Sequence, residues 1–201
     1  MTKKIIIATG NQGKVNEFKE LFSGIDLSVS SLKDHWNPLP DIEENGSAFY
    51  DNAKIKADWV YERRGGVWAL ADDSGLEVDA LGGAPGVLSA RFSGEGATSE
   101  SNNEKLLNDL KEIPEHLRTA RFKCVLVLKT GPETYLSAEG TCEGVIITEK
   151  SGSRGFGYDP LFIPQGFNET FAQISSEEKN KISHRGKAMR ALYKELQKII
   201  D

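Results

Sequence analysis

The most decisive structural signal in the chain is the stretch KIIIATGNQGKVNEFKELF, residues 4–22. Lys4 to Ala8 form a β-branched apolar run, which predicts a buried strand. A loop rich in turn residues follows, and from Lys14 to Phe22 apolar side chains recur at helical spacing, which predicts a helix. A strand, a glycine-bearing loop and a helix in this order are the general arrangement for holding a phosphate at a helix N-terminus.

The remaining pattern extends this start into an α/β fold. Further strands are predicted over residues 27–32, 67–71, 122–129, 134–138 and 142–148, and further helices over residues 46–64, 99–110 and 183–201. Strands and helices alternate early and a hairpin across Gly131-Pro132 follows, which predicts a mixed sheet flanked by helices rather than a purely doubly wound fold. We expect two lobes of this sheet, with the functional site in a cleft between them.

Length, charge and cysteine content limit the function classes. A chain of 201 residues suits one domain with two lobes, residues 1–201. With 25 basic and 30 acidic side chains, the net charge of -5 argues against non-specific binding of nucleic acid polymers but allows a small phosphate ligand. Cys124 and Cys142 predict reduced, buried thiols. Neither a signal peptide nor a membrane span is recognisable, so we expect a soluble cytoplasmic protein without a membrane partner.

Two motifs carry candidate phosphate and metal ligands. The loop TGNQGK, residues 9–14, has the ingredients of a P-loop without its spacing, and the plainer alternative is an ordinary strand-to-helix turn. Adjacent carboxylates at Asp72 and Asp73 are predicted to end a strand before a turn at Ser74-Gly75, where a cation would compensate them. The alternative there is a solvated turn. Glu43 and Glu44 suit a metal or, equally, the N-terminus of the following helix.

Two further motifs suit a nucleobase. Glycines bracket Phe156 in GFGYDP, residues 155–160, so its ring can stack on a base, although a hairpin turn with a core Phe is the alternative. Ser183 is predicted to cap the last helix, which places His184 and Arg185 in the first turn. Cations there oppose the helix dipole, so an anion or an electron-rich carbonyl ligand would explain them, and a solvated basic turn is the alternative.

Taken together, these motifs are more specific than any one alone. They occur in the order TGNQGK (9–14), ENGSAFYDNAKIKA (44–57), ADDSGLEVDALGGAPGVLSARFSG (71–94), GFGYDPLF (155–162) and KNKISHRGKA (179–188). This pattern resembles the inosine triphosphate pyrophosphatase family, whose members hydrolyse non-standard purine nucleoside triphosphates. The resemblance covers Ile5 to Leu196.

The resemblance implies a fold, a reaction and a set of site residues. It implies an elongated mixed α/β sheet flanked by helices, with two lobes around a central nucleotide-binding cleft, and a homodimer. It implies Mg²⁺-dependent conversion of XTP, ITP or dITP into the monophosphate and pyrophosphate. Asp73 would be the general base, and Glu44 and Asp73 would bind the metal. The implied substrate-binding residues are Thr9, Gly10, Asn11, Gln12, Gly13, Lys14, Asn52, Lys56, Ser74, Phe156, Gly157, Tyr158, Asp159, Lys179, His184 and Arg185.

Two other functions remain compatible with the sequence. One is a pyrophosphatase for modified pyrimidine or standard deoxynucleotides, and the other is a purine nucleotide sensor without turnover. A sensor has no need of a general base, so the combination of Lys14, Glu44 and Asp73 favours an enzyme. The chain departs from the family pattern at Ala48, where Thr is more frequent, and at Leu88, where an aromatic is common. Both positions adjoin motif residues and are not among the proposed ligands.

Overall fold

The computed structural model describes residues 3–23 and 27–200, without the side chain of the last of these. Within these ranges six strands form one mixed sheet of order β2-β1-β3-β4-β5-β6. The strands are β1 (Lys3–Ile7), β2 (Leu27–Ser31), β3 (Trp68–Val78), β4 (Thr119–Gly131), β5 (Thr134–Ile146) and β6 (Phe162–Pro164). Strand β1 pairs in parallel with β2 and β3, and β5 pairs antiparallel with β6. The predicted mixed sheet is confirmed.

Four of the five helices in the described residues were predicted from apolar spacing. The helices are α1 (Gln12–Leu21), α2 (Phe49–Arg63), α3 (Ser99–Asp109), α4 (Ser176–Ile182) and α5 (His184–Ile200). Helix α4 was missed because it spans only two turns and is dominated by charged residues, so it shows no apolar periodicity. Its start is marked only by Ser175, whose side chain accepts a hydrogen bond from the Glu178 backbone N–H.

The chain divides into two compact units, each with a hydrophobic core. Unit 1 runs through Asp73 and adds Cys124–Glu139 and the residues from Ala188 onward; unit 2 comprises Ser74–Lys123 and Gly140–Lys187. The buried core of unit 1 consists of Ile5, Ile7, Phe18, Phe22, Leu70, Cys124, Leu126, Leu128, Ala138, Ala188, Met189, Leu192 and Leu196. The buried core of unit 2 consists of Leu76, Val78, Leu106, Leu110, Ala120, Phe122, Cys142, Ile146, Tyr158, Leu161, Phe162, Phe171 and Ile174.

Strand β3 corrects one expectation. The apolar run was predicted to end at Ala71 and to turn at Ser74-Gly75, but β3 continues through these residues to Val78. A strand can pass through Asp72 and Asp73 because lysines from elsewhere in the chain neutralise both carboxylates. The two predicted strands over residues 134–138 and 142–148 are likewise one strand, β5.

The cysteines agree with the prediction made from their number. Both Cys124 and Cys142 are free and buried. Burial raises the pKa of the Cys142 thiol to about 11, so the thiol stays protonated at neutral pH. Among the helices described, none is both long and apolar enough to cross a membrane.

Candidate functional site

The loop after β1 forms a capped helix N-terminus. Asn11 is the N-cap of α1, and its side-chain oxygen accepts a hydrogen bond from the Lys14 backbone N–H at 3.2 Å. Thr9 Oγ1 accepts a hydrogen bond from the Asn11 backbone N–H at 3.2 Å. Helix α1 therefore begins at Gln12, directly beyond a strand that pairs in parallel on both sides. The first backbone N–H groups of such a helix are suited to an anion.

The side chains of this loop have separate environments. Lys14 extends to the fully buried carboxylate of Asp72, with 2.9 Å between Nζ and Oδ1. Gln12 is exposed and exchanges hydrogen bonds with Lys33 and Asn16. Lys14 thus contacts one of the acids of unit 1, Glu44, Asp72 and Asp73, which together are called the acidic cluster. The contacts of Gln12 lie on the surface.

Asp73 lies in the same cluster, against helix α2. Lys56 Nζ, on that helix, is 3.6 Å from Asp73 Oδ1 and 3.2 Å from Glu44 Oε2. Lys56 and Asp73 are buried, and a third of the Glu44 side chain is exposed. One ammonium group therefore holds together the two carboxylates that were predicted to bind metal.

Glu44 lies in the loop that precedes α2 and not in the helix itself. Helix α2 was expected from Gly46 but begins at Phe49, so Glu43 and Glu44 are not in its first turn. The alternative that these acids serve the helix dipole is therefore wrong. Phe49 follows Ala48, the N-cap of α2, whose side chain makes no capping hydrogen bond.

Asn52 connects the Glu44 loop to Asp73. Its side chain is fully buried; Oδ1 accepts a hydrogen bond from Gly46 N at 2.8 Å, and Nδ2 donates to Asp73 Oδ2 at 3.1 Å. Gly46 is required for this close approach, because a Cβ there would lie 2.5 Å from the Cβ of Asp51. Asn52 thereby orients the carboxylate of Asp73, and one of its amide N–H groups is left for a further contact.

The Asp73 carboxyl has the electrostatics of a base. Burial is the largest influence and raises its pKa, and the neighbouring Glu44 carboxylate acts in the same direction. Lys56, Lys14 and the Asn52 hydrogen bond oppose this, but the pKa remains above the usual aspartate value. A carboxylate with a raised pKa is a stronger proton acceptor once ionised.

In unit 2, the loop over residues 155–159 is folded around Asp159. Asp159 Oδ2 accepts hydrogen bonds from Phe156 N at 2.9 Å and from Lys179 Nζ at 2.7 Å. Gly155 has a φ of +75°, and a Cβ there would lie 2.0 Å from Asp159 Oδ2, so only glycine fits. Asp159 and Lys179 are both buried, so Asp159 acts as the anchor of the loop.

Cationic side chains surround the Phe156 ring. Lys179 Nζ lies 4.9 Å and Arg185 Cζ 5.7 Å from the ring centroid. Arg185 is 2% exposed and donates from Nη2 to Ser74 Oγ at 3.0 Å. Five residues predicted for the site, Ser74, Phe156, Asp159, Lys179 and Arg185, are therefore linked by direct contacts in unit 2.

The predicted cap of α5 is confirmed. Ser183 Oγ accepts a hydrogen bond from Gly186 N at 3.1 Å, and α5 begins at His184. The His184 ring is buried and stacks on Phe122 with centroids 4.8 Å apart and planes inclined by 11°. The alternative of a solvated basic turn is therefore wrong, because both His184 and Arg185 are inside the protein.

Two buried asparagines of α3 were not predicted as part of the site. Asn102 Nδ2 donates to the carbonyls of Ser89 and Ala90, and its Oδ1 accepts from Ser93 N at 2.7 Å. Asn103 Nδ2 donates to the carbonyl of Gly157 at 3.0 Å, and both asparagines are buried. Polar residues at the inward positions of a helix were the available signal, but spacing alone does not identify their partners.

The chain is similar over nearly its whole length to known proteins. Residues 5–195 match the model of the Ham1 family. A dITP/XTP pyrophosphatase of Oceanobacillus iheyensis is 46% identical over 198 residues, which cover 98% of this chain and 100% of that one. The structure of a HAM1 protein from Coxiella burnetii superposes with a TM-score of 0.86 at 38% identity, covering 98% and 99% of the two chains. The Staphylococcus aureus Ham1 protein superposes with a TM-score of 0.84 at 42% identity, covering 97% and 98%. This protein belongs to the Ham1 family.

Proposed function

We propose that this protein is a nucleoside triphosphate pyrophosphatase that converts dITP, ITP and XTP into the monophosphate and pyrophosphate. The name of the Oceanobacillus iheyensis relative supports the dITP and XTP part of this proposal. The observation that carries the reaction class is the environment of Asp73, a buried carboxylate with a raised pKa, oriented by Asn52 and adjacent to Lys56. A binding protein has no need of such a base.

In the proposed reaction, Asp73 accepts a proton from a water molecule that attacks the α-phosphorus. The new bond joins the water oxygen to the α-phosphorus, and the bond from the α-phosphorus to the oxygen bridging to the β-phosphorus breaks. Pyrophosphate leaves, and the monophosphate keeps the water oxygen. Asn52 holds the carboxylate by donating to Oδ2, so its orientation does not have to be established during the reaction.

The charges of the unit 1 cluster support a requirement for a divalent cation. Two ammonium groups, of Lys14 and Lys56, face three carboxylates, those of Glu44, Asp72 and Asp73. Carboxylates that face a triphosphate repel it unless a cation lies between them. We propose that Mg²⁺ supplies the missing positive charge, neutralising phosphate oxygens when it is bound.

The donor set fits this ion. In the part of the chain that the structure describes, no three acidic, histidine or cysteine side chains converge into an all-protein metal cage. Magnesium is typically held by one or two carboxylates together with water and substrate phosphates. Glu44 and Asp73, which share the ammonium group of Lys56, match that mode and would be the ligands.

We assign the triphosphate to the loop Thr9, Gly10, Asn11, Gln12, Gly13 and Lys14. The backbone N–H groups at the start of α1 provide donors for phosphate oxygens, and Lys14 and Lys56 provide charge. Lys14 would bind phosphate while remaining neutralised by Asp72, which makes it a structural cation as well. Lys179 is paired with Asp159, which favours a role in organising the loop over residues 155–159, here called the base-binding loop.

We assign the purine to Phe156, Gly157, Tyr158, Asp159, His184 and Arg185. The Phe156 ring offers a face for stacking, and Arg185 is a permanent hydrogen-bond donor. A 6-keto purine presents an acceptor at position six, whereas adenine presents a donor amino group there. A buried donor left unpaired by adenine disfavours ATP, which gives selectivity for inosine and xanthosine nucleotides.

The experiment that tests this function is a substrate panel with product separation. The purified protein is incubated with Mg²⁺ and, in turn, with ITP, XTP, dITP, GTP, ATP or dTTP. We expect monophosphate and pyrophosphate from the inosine and xanthosine nucleotides, and little product from GTP or ATP. Omission of Mg²⁺ with a chelator present is expected to abolish turnover.

Each alternative has its own outcome in the same panel. Diphosphate and inorganic phosphate would place the attack on the γ-phosphorus and overturn the proposed reaction. Turnover confined to dTTP would favour the pyrimidine pyrophosphatase. Tight binding of ITP without product would favour the nucleotide sensor.

A homodimer and a cytoplasmic location complete the proposal. The homodimer follows from the family resemblance, and the free, buried thiols of Cys124 and Cys142 suit the reducing cytoplasm. Light scattering on the eluting protein tests the dimer. A mass of one chain, 22.1 kDa, at working concentration would contradict it.

A further inference from the structure

Helix α3 contacts the base-binding loop through the side chain of Asn103. Asn103 Nδ2 donates a hydrogen bond to the carbonyl oxygen of Gly157 at 3.0 Å, although the two residues are 54 positions apart in the chain. The loop residue on one side of Gly157 is Phe156, and on the other side is Tyr158, whose hydroxyl donates to the Ser89 carbonyl at 2.9 Å. The loop is therefore held from outside at two consecutive residues.

The Asn103 amide has one defined orientation. With Nδ2 toward the Gly157 carbonyl the contact is a hydrogen bond, whereas the flipped amide would bring two acceptor oxygens together. In this orientation Oδ1 is buried and has no hydrogen-bond partner among the described residues. A buried amide oxygen without a partner costs stability, so packing of α3 does not account for an asparagine here. The hydrogen bond to the loop does account for it.

The loop needs such a contact because of its glycines. Gly155 has a φ of +75° and Gly157 a φ of +62°. Glycine has the largest backbone freedom of any residue, so a loop with two of them has many accessible conformations. Near one end, Asp159 selects the conformation by accepting from Phe156 N. At Gly157 the contact from Asn103 fixes the direction of the carbonyl, and with it the peptide plane between Gly157 and Tyr158.

We propose that Asn103 is a positioning residue for purine recognition, which holds the Phe156–Gly157–Tyr158 backbone in its base-binding conformation from helix α3. This inference rests on the proposed function, because it takes the loop to be the purine site. It deepens that function by separating two contributions: Asn103 acts on base affinity and selectivity, and not on the transfer of the proton at Asp73.

The test compares three variants of the full chain. Asn103→Ala removes the donor, and Asn103→Asp keeps the shape but places a carboxylate oxygen against the Gly157 carbonyl. The matched control is Asn108→Ala, because Asn108 is an exposed asparagine on the same helix. Hydrogen exchange of the peptide containing residues 155–159 is measured on the free protein. Steady-state kinetics are measured with ITP and ATP, and inorganic tripolyphosphate is used as a competitive probe of the phosphate contacts alone.

We expect faster exchange of the loop amides in Asn103→Ala, by about threefold or more, with unchanged exchange over residues 68–73. We expect the KM for ITP to rise about tenfold, as for the loss of one hydrogen bond, while kcat changes less than twofold. The inhibition constant of tripolyphosphate should stay constant, and the preference for ITP over ATP should fall. Asn103→Asp should show a larger KM effect, and Asn108→Ala should match the wild type.

Unchanged exchange of the loop in Asn103→Ala would overturn the proposal, as would a fall in kcat with an unchanged KM. An equal loss of affinity for tripolyphosphate would also overturn it, because the effect would then not be confined to the base. If the wild type fails to turn over ITP, the proposed function fails. The exchange measurement on the free protein still decides whether Asn103 orders the loop, so the two failures are distinguishable.

Discussion

The candidate functional side chains of the two units differ in charge: acids predominate in unit 1 and cations in unit 2. In unit 1, three carboxylates outnumber the ammonium groups of Lys14 and Lys56. In unit 2, two cations, Lys179 and Arg185, approach the face of Phe156, and Lys179 also pairs with the carboxylate of Asp159. The proposed function uses this difference: the acids of unit 1 would bind a cation and accept a proton, and the residues around Phe156 in unit 2 would bind the purine.

The interactions that hold these side chains in place also differ between the two units. In unit 1 the carboxylates are held by salt bridges and by the Asn52 amide, so charge itself determines their geometry. In unit 2 an aromatic cluster lies beneath His184: the ring of Phe122 is 4.8 Å from that of Phe162 and 5.9 Å from that of Phe171. Packed rings hold their shape by contact and not by charge, which would suit the proposed discrimination between purines. The difference predicts that changes in unit 1 act on the rate and changes in unit 2 on selectivity.

The strongest test of that division is Asp73→Asn in unit 1. Loss of the general base is expected to lower kcat for ITP about 10³-fold, because a positioned base contributes roughly 10² to 10⁴ to the rate. The dissociation constant of ITP should change far less, since Asn retains the shape and a hydrogen-bonding oxygen. Pyrophosphate release and equilibrium binding measure the two quantities. Equal losses in both would show that Asp73 is not the base.

A second test concerns the stability of unit 1. Lys129 Nζ lies 2.6 Å from Asp58 Oδ1, and Tyr135 donates to the same oxygen at 2.6 Å. Asp58→Asn leaves the buried Lys129 ammonium without its counter-charge, so we expect a loss of about 3 kcal/mol in the free energy of unfolding at pH 7. Urea unfolding measures this.

The same variant gives a pH dependence with a defined sign. Burial raises the pKa of the Asp58 carboxyl, but hydrogen bonds from two lysines and a tyrosine outweigh it and leave the pKa below its usual value. The stabilisation by this carboxylate is therefore complete above pH about 4 and is lost as the pH falls through the lowered pKa. The difference in the free energy of unfolding between wild type and Asp58→Asn should shrink at low pH.

An exposed ion pair in unit 2 serves as the comparison. Asp109→Asn breaks the pair of Lys105 and Asp109 and should lower the free energy of unfolding by less than about 1 kcal/mol.

A third test addresses selectivity in unit 2. Arg185→Ala is expected to reduce the preference for ITP over ATP about 100-fold in kcat/KM, because the buried donor that disfavours adenine is removed. Arg190→Ala, at an exposed position of the same helix, should leave the preference unchanged. An unchanged preference in Arg185→Ala would mean that this guanidinium does not read the base.

The smallest expected effect is a gain of stability in unit 1. Ala48 is the N-cap of α2 and offers no side-chain acceptor to the helix N-terminus. The family resemblance leads us to expect Thr here, and a threonine hydroxyl would accept a hydrogen bond from the first turn. Ala48→Thr should raise the free energy of unfolding by about 0.5–1 kcal/mol. Ala48→Val, which adds the branch without the oxygen, should give no gain, and equal values for the two variants would contradict the capping explanation.

Leu88 is the other position at which the chain departs from the expected family pattern, and it lies at the surface. This side chain is 49% exposed within a 3-10 turn, Gly86–Arg91, so it does not belong to the buried core of unit 2. An aromatic residue at this position would therefore alter the surface more than the packing. The reaction class inferred from the other motifs is not affected by either departure.

Elements with a local signal were predictable, and elements that depend on distant partners were not. The apolar spacing of α1 and the cap at Ser183 were found from the sequence, because each signal is contained within a short stretch of chain. The continuation of β3 through Asp72 and Asp73 was not found, because two adjacent acids disfavour a strand unless cations approach from elsewhere. The long-range pairs Lys14–Asp72 and Lys56–Asp73 supply those cations.

The sequence by itself determined the class of the fold, the acids and lysines of unit 1, and the glycine-bracketed Phe156 of unit 2. These follow from periodicity and from the chemistry of side chains close together in the chain. Only the tertiary structure decided which groups neutralise or orient one another, such as Asn52 on Asp73 and Asn103 on the Gly157 carbonyl. The physical reason is that a hydrogen bond depends on distance in space, and an amide carries no local mark of the partner that the fold brings within 3.1 Å.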